Sequence, residues 1–437
     1  MTERVAGSAY RAAMSLAAGA AELASRLPAA PARWRGLADR LGRLGPTERA
    51  LAVGAPALWL HAASVGELTA ARPLLRRLRD RFPERLAIVS TQTRTGLGLA
   101  RAMPEAHLAA LLPLDAPTTI RRFLSPFTLE AFLFTETEIW PLLLGALHER
   151  GVPTFMVSGR VSARSAGRTR WLRPLYRPVL GDVDCCMQTE ADAARIVALG
   201  ADPRRVQVTG SLKFDGPSTE PPPDVQRLAT ALDGRRLIVA GSTHEGEDEM
   251  LLDAYRRLAG GRPDLMLLLA PRHPERVAAV AARIEEAGFE LVRYSELATA
   301  ASASLPAPGV VLLDVVGPLA HCYGLGTVAF VGGSLVPAGG HNILEPARAG
   351  RAILVGPHTA NAAEVVERVI AGGGAMRVSS TDSLAWALSA LLDEPERTAD
   401  MGRRARALVE SGQGAVERHL KVIAARLTMT RFARATG

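Results

Sequence analysis

Ala57-Leu-Trp-Leu-His-Ala-Ala-Ser-Val-Gly-Glu67 decides the fold class. Ala57–His61 is an apolar run of strand length, and Ser64-Val65-Gly66-Glu67 turns the chain into a helical stretch reaching about Arg81. The same alternation recurs. Strand-like runs follow at Leu86–Ser90, Ala109–Pro113, Leu129–Phe134, Thr154–Val157, Asp184–Gln188 and Val206–Thr209, with helical segments between several of them. Repeated β-α units imply a parallel sheet covered on both faces. Periodicity stops at Asp215-Gly-Pro-Ser-Thr-Glu-Pro-Pro-Pro223, because three prolines and a glycine cannot continue a helix or a central strand. It restarts at Arg236–Ala240 and returns at Leu265–Ala270, Val310–Leu313, Val328–Val331 and Ala352–Val355. The expected architecture is α/β, with two doubly wound domains at 51–214 and 227–412 joined by a linker at 215–226. An N-terminal helix and basic segment (1–50) precede them, and a C-terminal helix (413–437) is expected to pack back on the first domain.

Composition agrees with this size. The chain has 437 residues, 48% of them apolar and 22% charged, which suffices for two buried cores and excludes a mostly disordered chain. No uninterrupted apolar run reaches the roughly 18 residues of a membrane span. Cys185, Cys186 and Cys322 are an odd set without ligand spacing, which argues against a disulfide framework or a structural zinc site. The net charge of +8 points to an anionic partner without choosing among nucleic acid, lipid and a phosphorylated substrate. With 5% aromatic residues and no recognised binding motif, nucleic acid is not expected as a partner. Of the 52 basic residues only Lys213 and Lys421 are lysines. Where arginine is the default, a retained lysine can mark a place that needs a compact ammonium.

Residues 8–27 read as a helix with Ala13, Leu16, Ala20, Leu23 and Leu27 on one stripe, followed by arginines 26, 33, 35, 40, 43 and 49. Such a segment can lie on an anionic membrane surface or pack on the protein itself.

Chemistry is sought at strand ends and helix starts, where open α/β sheets bind ligands. Glu67 opens a helix after a strand; it can serve as a general base or simply interact favourably with the helix dipole. Glu136 and Glu138 follow a strand one residue apart, so in an extended chain they share a face. In the second half, Ser242–Glu247 and Pro271–Arg276 also follow strands, and Arg272 can pair with a phosphate or with a nearby carboxylate. Gly332-Gly333-Ser334 and Gly339-Gly340-His341-Asn342 precede a helix start at Asn342–Glu345, a pattern that lets backbone N–H groups approach an anion. No Walker A loop, nucleophile elbow or zinc helix occurs, and no set of acids or histidines compels a metal.

Together these segments resemble one family, the 3-deoxy-D-manno-octulosonic acid (Kdo) transferases of Gram-negative lipid A assembly. The resemblance runs from about Leu58 to Arg418 through HAASVGE (61–67), ETEIWP (136–141), RVSARS (160–165), TGSLKFD (209–215) and STHEGE (242–247). It continues through PRHPER (271–276), VGGSLV (331–336), GGHNILEP (339–346) and Gly356-Pro357-His358. It implies a GT-B fold, two Rossmann-like domains facing a cleft, with inverting transfer of Kdo from CMP-Kdo to the tetraacyl lipid A precursor. It further implies Glu67 as general base, with Glu138 and Lys213 assisting at the transition state. CMP contacts are implied at Pro271, Arg272, Val316, Gly317, Pro318, Asn342, Ile343, Leu344 and Glu345. Pro318 stands where the family pattern has a glutamate, which removes a carboxylate and an N–H. Arg160 and Arg164, in an arginine run without acids, are candidates to meet acceptor phosphates or lipid headgroups. No cofactor or metal is expected, because Arg272, Lys213 and backbone N–H groups can offset the donor's charge. The implied location is the cytoplasmic side of the inner membrane, peripheral or monotopic. A noncatalytic or repurposed paralogue binding a nucleotide sugar or anionic lipid is the alternative.

Overall fold

The computed structural model describes residues 3–26, 39–52, 54–161, 172–216, 221–297, 305–306 and 308–436. The chain divides into two compact units, Met1–Pro217 with Gly412–Gly437, and Ser218–Ser411.

The first unit is built on a seven-stranded parallel sheet of order β3-β2-β1-β4-β5-β6-β7. Its strands are β1 (Pro56–His61), β2 (Leu86–Thr91), β3 (Leu108–Leu111), β4 (Thr128–Thr135), β5 (Thr154–Gly159), β6 (Val183–Met187) and β7 (Val206–Val208). Side chains alternate across the sheet, and both faces are apolar because helices cover both. Trp59, Phe132 and Phe134 enter one core with Phe123, Leu143 and Leu147. Leu58, Leu60 and Leu133 enter the other with Leu68 and Leu75 of the Val65–Arg81 helix and Val416, Leu420 and Ile423 of the Ala415–Thr436 helix. Fully burying each such side chain contributes about 1.5–3 kcal/mol. Trp59, with no exposed surface and ring contacts to Phe123 and Phe132, is therefore a position where truncation to Ala costs about 3–5 kcal/mol.

The second unit repeats the plan in the order β10-β11-β9-β8-β12-β13-β14. Its strands are β8 (Arg236–Thr243), β9 (Leu265–Pro271), β10 (Glu290–Arg293), β11 (Gly309–Leu312), β12 (Val328–Val331), β13 (Ala352–Val355) and β14 (Ala375–Arg377). Leu267 and Leu269 face Tyr255 and Leu251, whereas Met266 and Leu268 face Leu228, Tyr294 and Tyr323. Strand order reverses between β1 and β4 in the first sheet and between β8 and β12 in the second. Those two switch points, at the strands' carboxyl ends, are where such folds seat ligands.

Three expectations change. The stretch 215–226 is not wholly a linker: Leu212–Asp215 is a 3₁₀ turn, and Pro223 starts a helix running to Leu232. Proline is favoured at the first helical position, where its missing N–H has no partner to lose, and Val225 and Leu228 then anchor the helix in the core. Glu136 and Glu138 do not share a face, because Glu136 sits at φ 52°, in the left-handed region. The N-terminal helix spans Glu3–Ala24 and docks through Ala18 and Ala21 against Leu41, Leu114 and Ala116. Its predicted stripe therefore faces away, with Leu16 76% and Leu23 65% exposed, while Leu27 lies outside the described residues. Tyr10 ties this helix down, its hydroxyl donating to Asp115 at 2.9 Å.

Candidate active site

In the first unit, strand ends at the β1/β4 switch point bring Glu67, Thr135, Glu136 and Glu138 together. Ser64 caps the Val65–Arg81 helix, accepting from the Glu67 N–H, so Glu67 stands in the first turn with its carboxylate folded back over the cap. One oxygen, Oε2, accepts from the Ala63 N–H at 3.1 Å and the Thr135 hydroxyl at 2.5 Å. The other, Oε1, meets only the Ser64 hydroxyl, at 3.1 Å, among the described residues. Burial raises the Glu67 carboxyl above its usual range; the charge of Glu136 adds to this, while the Thr135, Ala63 and Ser64 donors oppose it. A half-buried carboxylate with an uncrowded oxygen and a raised pKa is suited to take a proton from a hydroxyl near neutral pH.

The two acids after β4 have separate partners. Glu136 pairs with Lys213, Nζ to Oε1 2.7 Å, which holds the ammonium at the strand ends. Glu138 accepts from Gln92 and from the Trp140 indole, and its Oε2 lies 3.7 Å from His61 Nε2. Burial acts to raise the Glu138 carboxyl, but His61, Gln92 and Trp140 outweigh it and hold it below the ordinary value. Glu67 and Glu138 are thus driven in opposite directions, the pattern expected of groups with different roles. His61 is buried, with Nδ1 2.9 Å from the Ser90 hydroxyl and 3.0 Å from the Ser90 carbonyl. The 3.7 Å separation is too long for a hydrogen bond, so the contact with Glu138 is electrostatic.

The Lys213 loop is braced by the C-terminal helix. Asp215 accepts from the Gly414 and Val416 N–H groups at that helix's start, and Arg418 donates to the Thr209 carbonyl at 2.8 Å. His419, buried, accepts the Ser158 N–H at Nε2 over 2.9 Å, and Ser158 Oγ in turn accepts from the Leu212 N–H. Arg160 lies beside this network, its carbonyl accepting from the Thr137 hydroxyl. Arg164 lies outside the described residues.

In the second unit, the β8/β12 switch point is organised by Glu247. Its fully buried carboxylate accepts from the N–H groups of His244 (2.9 Å), Gly333 (2.6 Å), Ser334 (2.9 Å) and Leu335 (2.9 Å). Glu247 therefore fixes the glycine loop rather than offering charge to a ligand. Arg272 is exposed at the end of β9, and no carboxylate among the described residues pairs with it; Arg276 instead pairs with buried Asp248. Pro271 closes β9, half-buried. Val316, 85% exposed, and Gly317 lie open after β11, whereas Pro318 is buried and its carbonyl accepts from the His321 and Cys322 N–H groups. Asn342 is exposed and donates to Glu345 at 2.9 Å, while the Ile343 and Leu344 side chains point into the domain. Burial raises the Glu345 carboxyl, with Asn342 and Arg348 opposing.

Sequence reasoning did not find Thr135, Gln92 or the partner role of Glu136. Thr135 ends β4, one residue beyond the strand-like run Leu129–Phe134, where nothing in its residue type points to Glu67, and Gln92 lies in no motif. Among the described residues no group of three or more His, Cys, Asp or Glu is placed to hold a metal ion.

Comparison with known proteins bears on the family and the fold. Residues 35–216 match the family model described as 3-deoxy-D-manno-octulosonic-acid transferase (kdotransferase). The 3-deoxy-D-manno-octulosonic acid transferase of Bordetella pertussis is 38% identical over 395 residues, 88% of this chain and 90% of the relative. That of Haemophilus influenzae is 34% identical over 373 residues, 84% of this chain and 86% of the relative. Among solved structures, UDP-GlcNAc 2-epimerase from Neisseria meningitidis superposes with TM-score 0.55 at 15% identity, covering 84% of this chain and all of that one (100%). A glycosyltransferase from Rickettsia africae superposes with TM-score 0.52 at 12% identity, covering 84% of this chain and 97% of that one. At such identities the likeness speaks for the fold alone, a GT-B type built from two parallel α/β sheets. The identities to the two curated relatives over nearly their full lengths carry the further step: the chain belongs to the 3-deoxy-D-manno-octulosonic acid transferase family of glycosyltransferases.

Proposed function

We propose that the protein transfers Kdo from CMP-Kdo to a sugar hydroxyl of the tetraacyl lipid A precursor, lipid IVA, with inversion at the anomeric carbon. The observation that carries this reading is Glu67, whose Oε2 is tied by two donors and whose Oε1 has one, leaving a lone pair for an incoming hydroxyl proton. The acceptor oxygen forms its bond to the anomeric carbon as the carbon–oxygen bond to CMP breaks. The hydroxyl proton passes to Glu67, and CMP leaves with the bonding pair. Lys213, steadied by Glu136, supplies positive charge where negative charge develops, and Glu138 stays ionised to support an oxocarbenium-like centre.

CMP is assigned to Pro271, Arg272, Val316, Gly317, Asn342 and Glu345, with Ile343 and Leu344 offering backbone only. Pro318 is buried and its carbonyl is already engaged, so it shapes the loop instead of contacting the nucleotide. The donor's phosphate and carboxylate are offset by the chain's own cations and N–H groups, and no metal is assigned. Arg160 and Arg164 are assigned to the acceptor's phosphates. No helix among the described residues is long and apolar enough to cross a membrane. The exposed Leu16 and Leu23 ridge is assigned to the cytoplasmic face of the inner membrane as a peripheral contact.

The test is Glu67→Gln, which keeps the shape and removes the base. Transfer from CMP-Kdo is expected to fall about 10²–10⁴-fold, with the affinity for CMP, read by calorimetry, unchanged. Near-normal turnover would remove Glu67 from this role.

A further inference from the structure

His244 directly follows β8, and His341 follows the glycine pair beyond β12. Their Nε2 atoms are 2.8 Å apart, with the rings 11° from coplanar and centroids 5.0 Å apart. Room for them is made by Gly333, at φ 67°: a Cβ there would stand 2.8 Å from His341 Cδ2 and 3.3 Å from His244 Cδ2. The pair is therefore built by the same loop that Glu247 holds through the Gly333 N–H.

A nitrogen–nitrogen contact of 2.8 Å is a hydrogen bond, so one proton lies between two Nε2 atoms. Both rings are then neutral at that edge, one donating and one accepting. Two N–H bonds cannot occupy the same gap. A second proton therefore enters at the free Nδ1 of the donating ring, which keeps the Nε2 contact and makes the pair a cation that an anion would stabilise.

The surroundings resist that second proton until an anion arrives. From the end of β9, Arg272 and His273 face the pair, His273 edge-on to His244 with centroids 5.4 Å apart, and Arg276 adds charge from the following turn. From the pair's own loop, Glu245 is exposed; Glu247 is the opposing carboxylate, its oxygens taken up by four backbone N–H groups. Burial, then Arg272, hold His341 down to about 4, and burial lowers His244 as well.

We propose that His244 and His341 form a proton-sharing pair that binds a phosphate oxygen of the donor nucleotide beside Arg272 and takes up a proton from solvent as it does so. The pair thus adds a cation to the site only when an anion is present. It rests on the assignment of CMP to this switch point, and goes beyond it by giving the site a proton count. Uptake fixes the sign of the pH dependence: CMP affinity falls as pH rises, by up to about tenfold per pH unit while a whole proton is taken up.

The test is calorimetry of CMP binding to the full-length protein at pH 7.5, in buffers of different ionisation enthalpy. That pH lies above the second ionisation of a phosphate monoester, about 6, so the nucleotide itself contributes little. Wild-type protein is expected to take up half a proton or more per CMP. His244→Gln and His341→Gln, each able to fill the space and hydrogen-bond, are expected to bind CMP roughly tenfold more weakly with uptake near zero. Binding by the wild type without uptake, or uptake retained in both variants, would overturn the proposal. Absence of CMP binding by the wild type would overturn the donor assignment, and the proposal with it.

Discussion

Replacing Thr135 by Val removes one hydroxyl from the proposed base and leaves the shape of the β4 end intact. Thr135 is 2% exposed, and its hydroxyl donates to Glu67 Oε2 at 2.5 Å, the shortest of the three contacts on that carboxylate. A hydrogen bond to a charged group contributes about 1.5–3 kcal/mol when lost from a buried site. Glu67 is half-buried, and water can replace part of the bond, so the lower end applies. About 1.4 kcal/mol is a factor of ten in the protonation equilibrium. The bond favours the ionised form, so its loss raises the Glu67 pKa further, in the direction that burial already pushes it. A general base must be ionised to act. The acid limb of the kcat/KM profile should therefore move to higher pH, and the rate at a fixed pH on that limb should fall about tenfold. On the alkaline plateau, where Glu67 is ionised in both proteins, the variant should stay within about threefold of wild type. Initial rates of Kdo transfer between pH 5 and 9 for wild type, Thr135→Val and Thr135→Ser provide the assay, with Ser expected to restore the profile. A uniform drop at every pH with an unmoved acid limb would refute the reasoning and reduce Thr135 to a packing residue.

Other outcomes follow from the same geometry. Lys213→Arg should lower turnover almost as far as Lys213→Ala, roughly 10²-fold, because the compact ammonium 2.7 Å from Glu136 cannot be matched in place by a guanidinium fork; near-wild-type turnover by a folded Lys213→Arg protein would show that charge alone suffices. Transfer should persist after exhaustive chelation, and activity lost with EDTA and restored by Mg²⁺ would contradict the metal-free assignment. Leu16→Glu with Leu23→Glu, at positions 76% and 65% exposed, should leave the melting temperature nearly unchanged and weaken co-sedimentation with anionic vesicles about a hundredfold. Unchanged vesicle binding would remove the helix from the membrane contact.

The central strands were legible because a parallel sheet buried on both faces writes each strand as a short apolar run bounded by turns. β1, β2, β4 and β5 all lie where those runs predicted them, to within two residues at either end. β10 and β14 left no such mark. Both are edge strands of four and three residues carrying Glu290, Arg293 and Arg377, with one side unpaired. The switch-point motifs were readable as glycines, acids and histidines after strands, but their internal wiring was not. Glu136 adopts a positive φ that nothing in its residue type announces, and this sends it to Lys213 while Glu138 goes to Gln92 and His61. Glu247 closes the Ser242–Glu247 segment, yet the N–H groups it holds at Gly333–Leu335 lie 86 to 88 residues further on. Local spacing carries no information about such a partner. The same holds for His419, which braces the Ser158 turn from the far end of the chain.

Mass spectrometry of the lipid after incubating the purified protein with CMP-Kdo and the tetraacyl lipid A precursor tests the central claim most directly. The account predicts lipid carrying added Kdo, release of CMP in equal amount, and both products formed about 10²–10⁴-fold more slowly with Glu67→Gln. Unmodified lipid alongside intact CMP-Kdo, from a folded protein on anionic vesicles, would contradict it.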